Sequence, residues 1–153
     1  MNGFLLDTNV PSELIRVRPE PRVAAWLEAA DDTQLFVSVV TIGELRKGFT
    51  ILPVSKRRAF LESWFQNELL PWFDGRILPI TRAIADRWGI LDGESQLRGM
   101  PLNTADGMIA ATAIVHDLTV VTRNVKDFAG LGAMVFNPWE AEASTNPWSP
   151  ASR

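Results

Sequence analysis

The sequence predicts an α/β domain of three layers, with a short, mainly parallel central sheet flanked by helices. Three observations predict it. Apolar runs at Phe4 to Leu6, Leu35 to Val40, Ile77 to Ile80, Leu118 to Val121 and Ala133 to Phe136 are short and mostly non-alternating, as strands covered on both faces should be. Between them lie longer stretches with apolar residues at helical spacing, and strands that alternate with helices give βαβ units. The chain has 153 residues, one domain's worth, and by size scaling buries roughly 68 to 70% of its unfolded surface.

Taken in order, the first run ends on Asp7, Thr8 and Asn9. Such residues suit a turn, because Asp and Asn side chains bond nearby backbone groups. A helical pattern covers Arg22 to Ala30, and Asp31 and Asp32 then read as a solvated loop. The next helix begins near Thr41 and stops at about Leu52, before Pro53, which has no N–H to continue it. Ser55 to Phe73 follows, with Pro71 as a point of breakage; its Phe60, Leu61, Trp64, Phe65 and Leu69 repeat as a core stripe rather than as a platform for stacking bases. Helices are also expected over Thr81 to Arg98 and from about Thr104 to His116, the latter capped by Asn103 or Thr104. The segment "EAEASTNPWSPASR" is rich in Ser, Pro and Ala, so residues 1–143 are read as the domain and 144–153 as a flexible tail.

Composition narrows the chemistry. Without Cys there is no disulfide framework, thiolate metal site or Cys nucleophile, and with one His the Ser/His/Asp schemes have little to build on. No apolar run is long enough to span a bilayer and no signal segment is visible, which leads to the expectation of a soluble, cytoplasmic protein. Net charge is −3, from 18 acidic and 15 basic residues. A stand-alone DNA-binding module usually carries a basic footprint, so any nucleic-acid contact here must be local.

Three carboxylates interrupt apolar sequence. Asp7 ends the first strand; Glu44 lies in "VSVVTIGELRKG" near a helix start; Asp106 lies in "LNTADGMIAATAIV", in the first turn of another. One such residue is explained by the positive end of a helix, worth about 0.3 to 1 kcal/mol. Three, each entering a βα edge from a different segment, are not. In an open α/β sheet ligands bind outside the carboxyl ends of the strands, where Thr122, Arg123 and Asn124 also fall. Gathered carboxylates repel one another unless protonated or bridged by a cation. Hard oxygen donors without Cys favour Mg²⁺ or Mn²⁺, which suits hydrolysis of phosphate esters. His116 lies about 15 Å along its helix from Asp106, at 1.5 Å per residue, and is set aside.

Four segments, "LLDTNVPSEL", "SVVTIGELRKG", "LNTADGMIAATAIVHDLTVVTRNVKDF" and the closing "VFNPW", together resemble the PIN-domain ribonucleases, in particular the VapC and FitB-like toxins of type II toxin–antitoxin pairs. The resemblance covers nearly the whole chain up to about Trp139. It implies a metal-dependent endoribonuclease using Mg²⁺ or Mn²⁺. Asp7, Glu44 and Asp106 fall on the family's acidic metal-site positions, Thr8 and Asn9 on the residues that support the first Asp, and Thr122 on the hydroxyl after the late strand. Many relatives carry an acid two residues beyond that Thr, where this chain has Asn124; the next carboxylate is Asp127, so either completes the site. The resemblance further implies an RNA substrate, a cognate antitoxin protein, a homodimer within the toxin–antitoxin complex, and DNA contact only through the antitoxin. Arg123 and Lys126 are the better candidates for RNA phosphates, followed by Arg46 and Lys47. Two alternatives stay open: a PIN-like module that only binds partners, and an Mg²⁺-dependent phosphatase, against which Asn9 counts because those sites use Asp-x-Asp.

Overall fold

In the computed structural model, which describes residues 2–141, Phe4–Leu6 form β1 and all three side chains are buried. The tail expected at 144–153 lies outside the described residues. Successive strand residues face opposite sides, so β1 feeds two cores. Phe4 and Leu6 pack with Trp26, Val37, Phe65 and Phe73 on one face. Leu5 packs with Ile84, Ile109, Val120 and Phe128 on the other.

The remaining strands are β2 (Leu35–Ser38), β3 (Ile77–Leu78), β4 (Thr119–Val121) and β5 (Val135–Phe136). They form one sheet in the order β3-β2-β1-β4-β5. Every pairing is parallel: Leu5 lies opposite Phe36 and Val120, Ser38 opposite Leu78, and Val121 opposite Phe136. The chain leaves β1 towards β2 and β3, then crosses back to β4 on β1's other side. Such a reversal opens a crevice at the carboxyl ends of β1 and β4.

Around the sheet lie α1 (Asn9–Leu14), α2 (Pro21–Ala29), α3 (Val39–Thr50), α4 (Lys56–Trp64), α5 (Leu70–Trp72), α6 (Arg82–Leu97) and α7 (Thr104–His116). Three details differ from expectation. Residues 9–14 form a helix rather than only a turn; Val10 N–H donates to Asp7 O at 2.9 Å and Ser12 N–H to Thr8 O at 3.2 Å. The second strand ends at Ser38, not Val40, because the Ser38 hydroxyl accepts from Val40 N–H at 3.0 Å and starts α3 two residues early. The helix expected to break at Pro71 instead widens into an i→i+5 turn over Phe65–Leu69 and runs on as α5. The extra residue per turn makes room for a proline ring that would otherwise press on the carbonyl four residues back.

Of the expected core stripe, Leu61, Phe65 and Leu69 are buried and Trp64 is half-buried, whereas Phe60 turns outward and is 54% exposed. On the other face α6 and α7 are closely packed, and Gly107 is the reason. A Cβ there would lie 2.8 Å from Trp88 Cδ1 and 2.9 Å from Leu102 Cδ2.

Candidate functional site

The first residue past β1 is Asp7, which is only 6% exposed. Its Oδ1 accepts from the Thr8 backbone N–H at 2.8 Å and its Oδ2 from the Thr122 hydroxyl at 2.7 Å. Thr122 is the first residue past β4, and Asp7 N–H donates to Val121 O at 2.9 Å. The parallel pairing of β1 and β4 therefore puts the acid and its hydroxyl partner side by side at the crevice.

Neighbouring residues hold this pair. Asn9 Nδ2 donates to Thr122 Oγ1 at 3.3 Å, and its Oδ1 accepts from Arg123 N–H at 3.4 Å. Asn124 contributes its backbone N–H to Thr122 Oγ1 at 3.0 Å. Across the cleft, the Thr8 hydroxyl donates to Glu44 Oε1 at 2.5 Å and lies 3.2 Å from Thr41 Oγ1. Thr41, fully buried one turn before Glu44 on α3, is a site residue that sequence reasoning passes over. Its signal in the sequence is the i, i+3 spacing to that acid.

Asp106 sits in the first turn of α7, where its N–H donates to the capping Asn103 Oδ1 at 3.2 Å. Asp127 lies in a 3₁₀ turn, Val125–Phe128, pinned by the buried Phe128. The charges of these acids act on one another. Burial, chiefly, pushes the Asp7 carboxyl up, with Glu44 and Asp127 adding to the rise against its two hydrogen bonds. Asp106 is pushed up to about 6, by burial first and then by Asp7, Asp127 and Glu44. Four acids from four segments thus lie near enough for their charges to act on one another. Among the described residues, though, no three of them stand close enough to enclose a cation unaided.

Open grooves lead away from the acids. One of about 540 Å³ is lined by Asp106, Asp127, Lys126, Asn103 and Arg98. Another of about 400 Å³ passes Glu44, Lys47, Asn103 and Thr104. Arg123 is placed beside Trp139, its guanidinium 5.7 Å from the ring centroid. Arg46 is engaged elsewhere: it pairs with Glu62 at 3.5 Å and covers the Phe65 ring at 4.7 Å.

Fold and site define a class, and comparison with known proteins agrees with it. The PIN domain family model matches residues 4–132, and the chain belongs to the PIN-domain family. It is 40% identical to Toxin FitB of Neisseria gonorrhoeae over 136 residues, covering 89% of this chain and 98% of that protein. It is 38% identical over 137 residues to the VapC ribonuclease Y4jK of Sinorhizobium fredii, covering 90% of this chain and 98% of that one. Among solved structures, FitAcB from Neisseria gonorrhoeae superposes with a TM-score of 0.85 at 39% identity, over 90% of this chain and 99% of its own. FitAB bound to an IR36 DNA fragment gives the same TM-score at 38% identity, over 91% of this chain and 97% of its own.

Proposed function

We propose that this protein is an Mg²⁺- or Mn²⁺-dependent endoribonuclease and the toxin of a toxin–antitoxin pair. The observation that carries the proposal is the buried Asp7 at the topological switch point, its carboxyl pushed up by burial and further by the charges of Glu44 and Asp127. The donors suit a hard divalent ion: all are oxygens, there is no thiolate, and His116 lies at the far end of α7. That the acids do not close into a cage suits Mg²⁺, which keeps several waters and takes one or two carboxylates together with substrate phosphates.

Asp7, Glu44 and Asp106 would hold the ion, one or two of them directly and the rest through its waters, and Asp127 would complete the acidic rim. When bound, the ion offsets charge on the attacked phosphate and makes a water more acidic. The rest belongs to the protein. Thr122 and the Thr8 N–H fix the Asp7 carboxylate, leaving its remaining lone pairs towards the cleft. The Thr8 hydroxyl sets Glu44, and Asn9 and the Asn124 N–H set Thr122. Supporting groups of this kind orient ligands and are typically worth 10- to 100-fold in affinity or activity. Lys126, Arg123 and Lys47 are exposed near the cleft and would position phosphates.

The likeness to FitB and to the FitAB complex supports a cognate antitoxin as partner, a homodimer within that complex, and DNA contact through the antitoxin. No helix among the described residues is long and apolar enough to cross a membrane; cleavage of cellular RNA would itself require action in the cytoplasm. The test is cleavage of cellular RNA by the purified protein with Mg²⁺ or Mn²⁺, with ends mapped after induced expression. Cleavage should vanish in EDTA and in Asp7→Asn. Cleavage that survives either change, or its absence with both metals, sinks the proposal; hydrolysis of small phosphate esters alone would favour the phosphatase.

A further inference from the structure

The groove that begins at Asp106 and Asp127 has a chemically different far wall, the C-terminus of α6. Gly99, at φ 70°, ends that helix: Gly99 N–H donates to Gln96 O at 3.0 Å and Met100 N–H to Ser95 O at 2.9 Å. This paired cap needs left-handed backbone at residue 99 and fixes the residues on either side of it. Arg98 is exposed, and its Nη2 donates to the hydroxyl of buried Ser95 at 3.4 Å. Met100 is 68% exposed and forms an apolar shelf with Pro101.

Among the described residues Arg98 makes no ion pair; its one side-chain hydrogen bond there is the long one to Ser95. None of those ion pairs involves Lys126 either. Arg98 lines the same groove as Asp106 and Asp127, yet no ion pair among the described residues joins it to either. An anion that reaches the acidic centre would extend naturally to it. The volume, about 540 Å³, falls within the range of roughly 300 to 1,000 Å³ typical of small-ligand clefts, room for one nucleotide.

We propose that Arg98 binds the phosphate of the nucleotide next to the scissile bond, with Met100 and Pro101 as the surface on which its sugar or base rests. The proposal deepens, and rests on, the reading of this cleft as an RNA-cleaving site. A planar guanidinium can take a phosphate through two parallel hydrogen bonds, which a lysine cannot. A base that rests on the shelf must leave its stack, which a single strand permits more readily than a duplex.

Two measurements test this. In the first, a labelled short single-stranded RNA is titrated in EDTA with Asp106→Asn protein, with and without Arg98→Gln. Affinity should fall about tenfold on losing the charge-assisted contact, and the slope of log K against log salt should shrink by about 0.7. Arg98→Lys should recover the slope but only part of the affinity. In the second, Arg98→Gln alone should raise KM for RNA about tenfold and change kcat less than about twofold, the pattern of a contact equal in ground and transition states. Equal affinities and slopes with and without Arg98, or no RNA binding by Asp106→Asn, overturn the subsite, including the case of a groove that holds a protein segment instead. RNA binding that depends on Arg98, in a protein that cleaves nothing with either metal, upholds the subsite and overturns the nuclease reading.

Discussion

Thr122 sets the direction of Asp7, and changing its hydroxyl separates orientation from charge. In Thr122→Val the buried Asp7 Oδ2 loses its 2.7 Å partner. Leaving a buried acceptor unsatisfied costs about 1 to 3 kcal/mol, and cleavage should fall about 10- to 100-fold, with Thr122→Ser near wild type in both denaturation and RNA assays. Asp106 gives a pH signature. Its carboxyl is pushed up to about 6 from 3.8, so between those values the folded protein holds more proton than the unfolded chain. Stability therefore rises as pH falls through about 6 and the penalty is fully present above it. In EDTA, Asp106→Asn should melt above wild type at about pH 7.5, with the gap closing towards about pH 5; parallel melting curves across that range would exclude the effect. Asp7, Glu44 and Asp106 were legible in the sequence because each interrupts an apolar segment that has no packing use for a charge. Thr41 and Arg98 were not, since a Thr at a helix start and an Arg at a helix end look ordinary until the tertiary fold puts them beside something.

Elements were legible to the extent that local chemistry decides them. The five apolar runs became the five strands, and the expected helices formed. The errors arose where two local signals compete. At Val39 and Val40 a β-branched pair prolongs the apparent strand, but the Ser38 cap satisfies an N–H and starts α3. At residues 9–14 the polar Asp7, Thr8 and Asn9 suggested a turn, yet α1 is a helix whose Val10 and Pro11 are buried. The closeness of α6 and α7 is another property the local pattern does not carry, and two glycines test it. Gly107→Ala would drive a methyl to 2.8 Å from Trp88 Cδ1; such overpacking costs about 1 to 3 kcal/mol. Gly89 is exposed in the middle of α6, and a methyl added there would meet nothing within 4 Å, so Gly89→Ala should instead stabilise by roughly 0.5 to 1 kcal/mol. Urea denaturation of both variants checks the pair, and a shift of the same sign would contradict the packing argument.

At the scale of the whole molecule, strand order makes the site, and order was not written in any local pattern. The sequence placed Asp7 and Thr122 at strand ends; only the β3-β2-β1-β4-β5 arrangement makes those ends adjacent. One consequence is global. A fold that brings Asp7, Glu44, Asp106 and Asp127 near enough for their charges to raise the Asp7 and Asp106 carboxyls carries their repulsion as a stability cost, which a bound cation would offset. A divalent ion that binds only the folded state adds RT ln(1 + [L]/Kd), about 2.7 kcal/mol at a hundredfold excess over Kd. For a chain of this size each kcal/mol raises Tm by about 2 to 4 °C, so saturating Mg²⁺ or Mn²⁺ should lift Tm by about 5 to 11 °C. Two controls separate binding from simple screening. Monovalent salt at matched ionic strength should give a smaller rise, because it screens repulsion without occupying a site. Asp7→Asn should melt higher than wild type without metal and respond weakly to the divalent ion, having lost both a repulsive charge and a ligand. An equal rise in wild type and Asp7→Asn would show that the ion acts elsewhere on the surface, and the acids of the crevice would then need an explanation other than a metal.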